Sequence, residues 1–211
     1  MPPSPAFPPP SLTGRRVALV PLAHEHAPAL TDALRDGEPW RLWYTTVPTP
    51  EGLAAEIDRR LALQQAGSMV PFTVLDGPVG TPVGMTTFMN IDAAAPRVEI
   101  GSTWYARRVQ RTGLNTEAKL LLLEHAFEAL GCLAVEFRTH FFNRASRRAI
   151  ERLGAKLDGI LRATQRGPEG ALRDTCVYSI VAAEWPAARL NLRWMLDSRD
   201  DAKHRDTPVG R

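Results

Sequence analysis

The stretch RVEIGSTWYARRVQRTGLNTEAK, residues 97–119, changes character twice. Its first nine residues alternate and are rich in β-branched and aromatic types, which predicts a strand. A short basic loop follows, and then a helix opens at about Gly113 and runs to Leu130. That helix is apolar around most of its circumference, at Leu114, Ala118, Leu121, Leu122, Ala126 and Ala129, so it has to be buried against a sheet. A helix start exposes unpaired N–H groups and the positive end of the helix dipole; a loop that delivers backbone amides there can hold an anion. Gln110-x-x-Gly113-x-Asn115 occupies this loop, with Arg107, Arg108 and Arg111 around it. Gly113 allows close backbone approach, and the arginines add charge-assisted contacts.

The rest of the chain is organised around that junction. Upstream, RRVALVPL predicts a strand and AHEHAPALTDALRDG a helix ending at Gly37. TPEGLAAEIDRRLALQQAG predicts a second helix, capped by Thr49 with Pro50 at its first position. VPFTVLD, GTPVGMTTFMNID and RVEIGSTWY form an antiparallel meander, broken by the turn signals DGP and AAAP. Downstream, LAVEFRTHFF is a strand, and Asn143 caps the short helix ASRRAIERL, which stops at Gly154. KLDGILRATQR and ALRDTCVYSIVAAEW close the sheet around the turn GPEG, and WPAARLNLRWML is a terminal helix. This order gives an α/β (α+β) domain, a mixed and mostly antiparallel sheet of about seven strands with helices on both faces.

The domain boundaries are placed at 12–197. Residues 1–11 contain MPPSPAFPPP, whose prolines rule out a helix or a ladder, and residues 198–211 are polar and of mixed charge; both are expected to be disordered. No apolar run reaches the ~20 residues that span a bilayer, and the N-terminus has neither the basic nor the apolar region of a secretion signal. The two cysteines, Cys132 and Cys176, lack metal or disulfide spacing, so a reduced cytoplasmic chain without a metal is expected. A net charge of +3 suits an anionic ligand, but the arginine clusters lack the stacking aromatics of an RNA-binding module.

Several of these motifs together resemble the GNAT superfamily of N-acetyltransferases. The loop resembles their acetyl-coenzyme A pyrophosphate loop, Gln/Arg-x-x-Gly-x-Gly/Ala, and VEIG resembles their fourth strand. Asn143-x-x-Ser146 with LGA, then DGILR, GPEG and LRDTCVYSIVAAEWP, resemble the branch that acetylates N-terminal serine or alanine of ribosomal proteins. The resemblance spans about Leu12 to Trp194 in order. It departs at Asn115, where the loop pattern has Gly or Ala, and at Ile150, where many relatives carry a general-acid tyrosine.

The resemblance implies acetyl-CoA as co-substrate. Its contacts would come from Thr103, Trp104 and Tyr105 on the strand, from Gln110, Arg111, Thr112, Gly113, Leu114, Asn115 and Thr116 in the loop and first helical turn, and from Asn143 and Arg147 downstream. It implies Glu99 as base toward the amine and Ser146 as the donor to the leaving thiolate in place of the missing tyrosine. Trp40, Trp43, Tyr44 and Phe88 are expected to line the acceptor pocket. The preferred acceptor is a peptide or protein N-terminus. An α-amine of pKa ~8 gives up about one unit at pH 7, ~1.4 kcal/mol, against ~4.6 kcal/mol for a lysine. The alternatives are a small amine, amino acid or drug as acceptor, or a non-catalytic coenzyme A sensor. By analogy with related enzymes a homodimer is also expected.

Overall fold

The alternation of the sequence becomes eight strands in the computed structural model, which describes residues 9–167 and 170–205. Strands β1 (Leu12–Thr13) and β2 (Val17–Pro21) precede helices α1 (Ala27–Arg35) and α2 (Leu53–Gln65). The meander is β3 (Met69–Asp76), β4 (Pro82–Asp92) and β5 (Arg97–Tyr105). Helix α3 (Leu114–Glu124), prolonged by a π-type turn over His125–Ala129, leads into β6 (Ala134–His140) and α4 (Arg144–Glu151). Strands β7 (Lys156–Arg166) and β8 (Leu172–Val181) and the helix α5 (Trp185–Arg205) complete the chain.

The strands form a single sheet in the order β1-β2-β3-β4-β5-β6-β8-β7. Every pairing is antiparallel except β5–β6. A parallel neighbour needs a crossover, and α3 is that connection. The parallel ladder is short: Arg97, Val98 and Glu99 pair with Ala134, Val135 and Glu136, after which β5 runs on to Tyr105 and β6 to His140 without further pairing between them. The two strands therefore part, and the sheet opens at its centre.

A second irregularity sits beside the opening. Met85 pairs with Trp104 and Thr87 with Gly101, so β5 carries one residue more than β4 between these pairs. Ser102 lies there with φ of +48°, a β-bulge that bends the strand. Adjacent residues show the two layers. Thr87 Oγ1 accepts from Arg60 of α2, whereas the Phe88 ring stacks on His125 just beyond α3. Helices thus cover opposite faces. Leu122 and Leu123 of α3 are fully buried, each contributing about 1.5–3 kcal/mol of transfer free energy.

Three sequence expectations shift. The second helix starts at Leu53, because Pro50 to Gly52 form a turn in which Gly52 N–H donates to Thr49. The short β1 adds an edge strand. Helix α5 passes the boundary set at 197 and reaches Arg205: no glycine or proline interrupts it after its first turn, and Asp200 pairs with Arg15 and Arg16. The expectations for residues 1–8, for Pro168 and Glu169 of the GPEG turn, and for 206–211 lie outside the described residues. Among the described residues no helix is long and apolar enough to cross a membrane.

Candidate active site

The loop between β5 and α3 is stitched to the end of α1. Arg107 N–H donates to Asp36 C=O (2.8 Å) and Arg108 N–H to the Asp36 carboxylate (3.0 Å), which also pairs with the Arg108 guanidinium. Gln110 Nε2 donates to Tyr105 C=O, and Thr112 Oγ1 donates to Val109 C=O while accepting from Leu114 N–H. Gly113 is the residue before the helix, at φ +103°, a conformation that strains any L side chain. The first bond at the start of α3 runs from Glu117 N–H to Gly113 C=O, so the amides of Asn115 and Thr116 precede it and stay open. A cleft of about 430 Å³ lined by Arg15, Arg16, Arg108 and Thr112 extends the basic surface beside this loop.

Trp104 and Leu114 have buried, core-packed side chains, so only their backbones can serve a ligand. The carboxamide oxygen of Asn115 is buried without a hydrogen-bond partner among the described residues. Thr116 Oγ1 accepts from Arg152.

Glu99 is the last β5 residue paired with β6, and it is only 5% exposed. Its Oε2 accepts from Asn90 Nδ2 at 2.7 Å, and Arg138 Nε stands at 3.6 Å. Burial raises its pKa, opposed by the Asn90 hydrogen bond and by the charges of Arg138 and Arg173. Gly101 leaves the space beside it: a Cβ there would come within 2.8 Å of both Glu99 Oε1 and Met89 Sδ. Glu136, Arg138 and His140 follow at every second position on β6 and share this face.

At the far end of β6 the aromatic residues gather. Trp43 lies edge-on to His140 (5.1 Å between centroids) and to Tyr44 (5.6 Å), and His140 stacks on Phe142 (5.8 Å). Trp43 and Phe142 are 58% and 57% exposed, an open apolar wall. His140 Nδ1 accepts from Phe142 N–H, which places the proton of the neutral ring on Nε2 and leaves no lone pair free to act as a base. Burial and Arg173 lower its pKa.

The second strand–helix turn is built differently. Asn143 Oδ1 accepts from Ser146 N–H at 3.0 Å, so the asparagine closes the start of α4 itself. Ser146 is half-buried in that first turn. Arg147, expected to contact the cofactor, instead turns inward: Nε donates to Tyr178 OH (2.9 Å), Nη1 to Phe141 C=O, and the guanidinium lies over the Phe141 ring. Ile150 is a core residue. Phe88 also moves from the expected acceptor wall to the core, between Phe72 and His125, because its neighbour Thr87 takes the opposite face. Trp40 is half-buried against the core without joining the aromatic wall.

The structure thus brings Glu99, Thr103, Tyr105 and the Gly113 loop to the opened sheet, with Trp43 and Tyr44 on the wall beyond β6. Asn90, Arg138, His140, Phe142 and Arg173 were missed; the period-two run Glu136-x-Arg138-x-His140 was the available signal for the polar face of β6. Among the described residues no cluster of metal-ligating side chains occurs.

The sheet is thus parted between parallel neighbours, beside a helix start with open amides. Residues 16–156 match the model of the acetyltransferase (GNAT) domain, and the chain belongs to that family. A crystal structure of a T. thermophilus protein assigned as an acetyltransferase is 34% identical with a TM-score of 0.78, over 90% of this chain and 98% of that one. Two others fall below 25% identity and show the fold alone. Mycobacterium smegmatis RimJ in complex with CoA-disulfide is 23% identical, with a TM-score of 0.76 over 89% and 95% of the chains. A Salmonella typhimurium acetyl transferase that modifies the N-terminal serine of 50S ribosomal subunit protein L7/L12 is 17% identical, with a TM-score of 0.70 over 80% and 96%. No curated protein matches the chain.

Proposed function

We propose that the chain transfers an acetyl group from acetyl-CoA to the α-amine of a peptide or protein N-terminus, by direct attack with both substrates bound. The observation that carries this reading is the parted β5–β6 pair, with the open amides of α3 at one side and buried Glu99 at its closed end. The donor set fits the co-substrate. Asn115 and Thr116 amides and the loop arginines suit phosphates, and the unpaired edge of β5 from Thr103 to Tyr105 suits an amide-bearing arm. When bound, acetyl-CoA supplies the activated thioester carbon.

The residues then have distinct tasks. The Gly113 loop holds the anionic end. Backbone N–H groups of Thr103 to Tyr105 that face the opening stabilise negative charge developing on the acyl oxygen. Glu99, with its carboxyl pKa raised toward the working pH, takes the proton from the acceptor ammonium, directly or through one water. Ser146 donates to the departing thiolate. Trp43, Tyr44 and Phe142 form the wall that an extended peptide would follow. The acceptor class is supported by the branch resemblance and by the N-terminal serine substrate of the Salmonella relative.

The test is release of coenzyme A thiol from acetyl-CoA with peptides beginning Ser, Ala or Thr, alongside small amines, and mass analysis of the product. The reading expects an acetyl group on the peptide α-amine and turnover weakened by Glu99→Gln. Turnover confined to small amines would replace the acceptor, and coenzyme A binding without turnover would replace the enzyme by a sensor.

A further inference from the structure

Two buried basic side chains meet the same kink in β5 from opposite faces of the sheet. Arg60 of α2, 2% exposed, donates from Nη1 to Thr87 Oγ1 (2.8 Å) and from Nη2 to the carbonyl of Ser102 (3.2 Å), the bulged residue. Lys119 of α3, 7% exposed, donates from Nζ to Thr103 Oγ1 (3.0 Å) and to Thr86 Oγ1 (3.3 Å). The two helices therefore grip adjacent pairs of residues, Thr87 with Ser102 on one side and Thr86 with Thr103 on the other. The Thr86 and Thr103 hydroxyls also bond to each other at 2.7 Å.

Burying such groups costs stability. Arg60 has a partner in Glu56 at 2.7 Å, itself shared with Arg59. Among the described residues Lys119 has no carboxylate in contact, and burial alone pushes its pKa down to about 7. An apolar residue of the same length would pack there at lower cost. An amine held between two hydroxyl acceptors is satisfied, but it is an expensive way to fill the core, and what it contacts is the strand segment that lines the opening.

We propose that Arg60 and Lys119 form a two-sided clamp that fixes the Ser102 bulge, and so act as positioning residues for the β5 amides of Thr103 to Tyr105. The inference rests on the acetyl-transfer reading for its catalytic consequence. The bulge is what turns Thr103 toward the α3 face while Glu99 and Gly101 stay on the other. Without a fixed bulge, β5 can slide toward an unbulged register with β4, and the N–H groups beside the opening lose their aim. Neither side chain needs to touch either substrate.

The experiment compares Lys119→Met, Arg60→Met, the double variant and the conservative Arg60→Lys in the full chain. The clamp predicts that Lys119→Met folds with an unchanged or higher Tm, since the methionine relieves a buried amine. It also predicts kcat for thiol release lowered about tenfold, as misplacement of a reacting group requires, with the Kd for coenzyme A raised by a smaller factor, because the Gly113 loop still holds the anionic end. Amide hydrogen exchange over residues 101–105 should quicken severalfold while β2 and β3 stay protected. The double variant should lose less than the product of the two single losses, because both act on one bulge, and Arg60→Lys should recover part of the rate. Unchanged kcat and exchange in both single variants, or losses that simply follow Tm, would overturn the clamp. If the wild type neither binds acetyl-CoA nor releases thiol, the acetyl-transfer reading falls, while the exchange rates over 101–105 still decide whether the clamp exists.

Discussion

The molecule contains two strand–loop–helix junctions rich in arginine, β5 into α3 and β6 into α4, and they end in opposite states. At the first, a glycine at φ +103° stands before the helix with no side chain of its own to cap it, Thr112 Oγ1 takes the Leu114 N–H, and the amides of Asn115 and Thr116 are open. At the second, Asn143 Oδ1 takes the Ser146 N–H, and Arg147 folds back onto Tyr178 and Phe141. A helix start offers an anion site only if its own sequence leaves the amides unclaimed. Arginine density says little by comparison, since Arg108 is paired with Asp36 and Arg147 with a core hydroxyl.

The contrast can be broken most forcefully at Gly113. Gly113→Val would strain the backbone and displace the open amides; losing two charge-assisted bonds of about 1.5 kcal/mol each weakens acetyl-CoA binding about a hundredfold, measured by calorimetry. The next effect belongs to the base. Glu99→Gln should lower kcat/KM for an N-terminal peptide about tenfold at pH 7, the factor set by an α-amine one unit above that pH. Because Glu99 must be ionised to accept a proton and its pKa is raised, wild-type activity falls as pH drops through that pKa. Glu99→Gln should lack this acid limb and approach the wild-type rate near pH ~9, where the α-amine is already mostly neutral.

On the acceptor side, Trp43→Ala should raise KM for peptides about fivefold and leave Tm unchanged, because the ring is mostly exposed. The smallest functional change should come from the closed junction. Asn143→Ala removes a cap, costing about 1 kcal/mol of stability and a few degrees of Tm, with KM for acetyl-CoA moved less than about threefold. A tenfold rise in that KM would show that Asn143 serves the co-substrate rather than its own helix.

Much of this was legible in the sequence. Alternation set out the meander and its turns, and the helix after residue 113, apolar around most of its circumference, had to be the buried crossover. The parting of β5 and β6 was not legible, because it depends on which residues pair across strands that are distant in sequence. Nor was the bulge: Ser102 has positive φ without being glycine or asparagine, and the residues holding it, Arg60 and Lys119, come from two helices. Phe88 was misplaced because adjacent strand residues face opposite layers, and the sequence alone did not say which layer was the core under α3. Arg147 was misplaced because the acceptor of its Nε, Tyr178 OH, lies on β8. The helix α5 ran past the expected boundary because its apolar spacing, Leu192 and Leu196, stops before its hydrogen bonding does.

The most direct measurement is amide hydrogen exchange of the full chain with and without coenzyme A, resolved along β5, the Gly113 loop and α4. The account predicts protection at Thr103 to Tyr105 and at Asn115 and Thr116, with the Ser146 amide unchanged because Asn143 already holds it. Protection confined to 143–147, with none at 113–116, would contradict it.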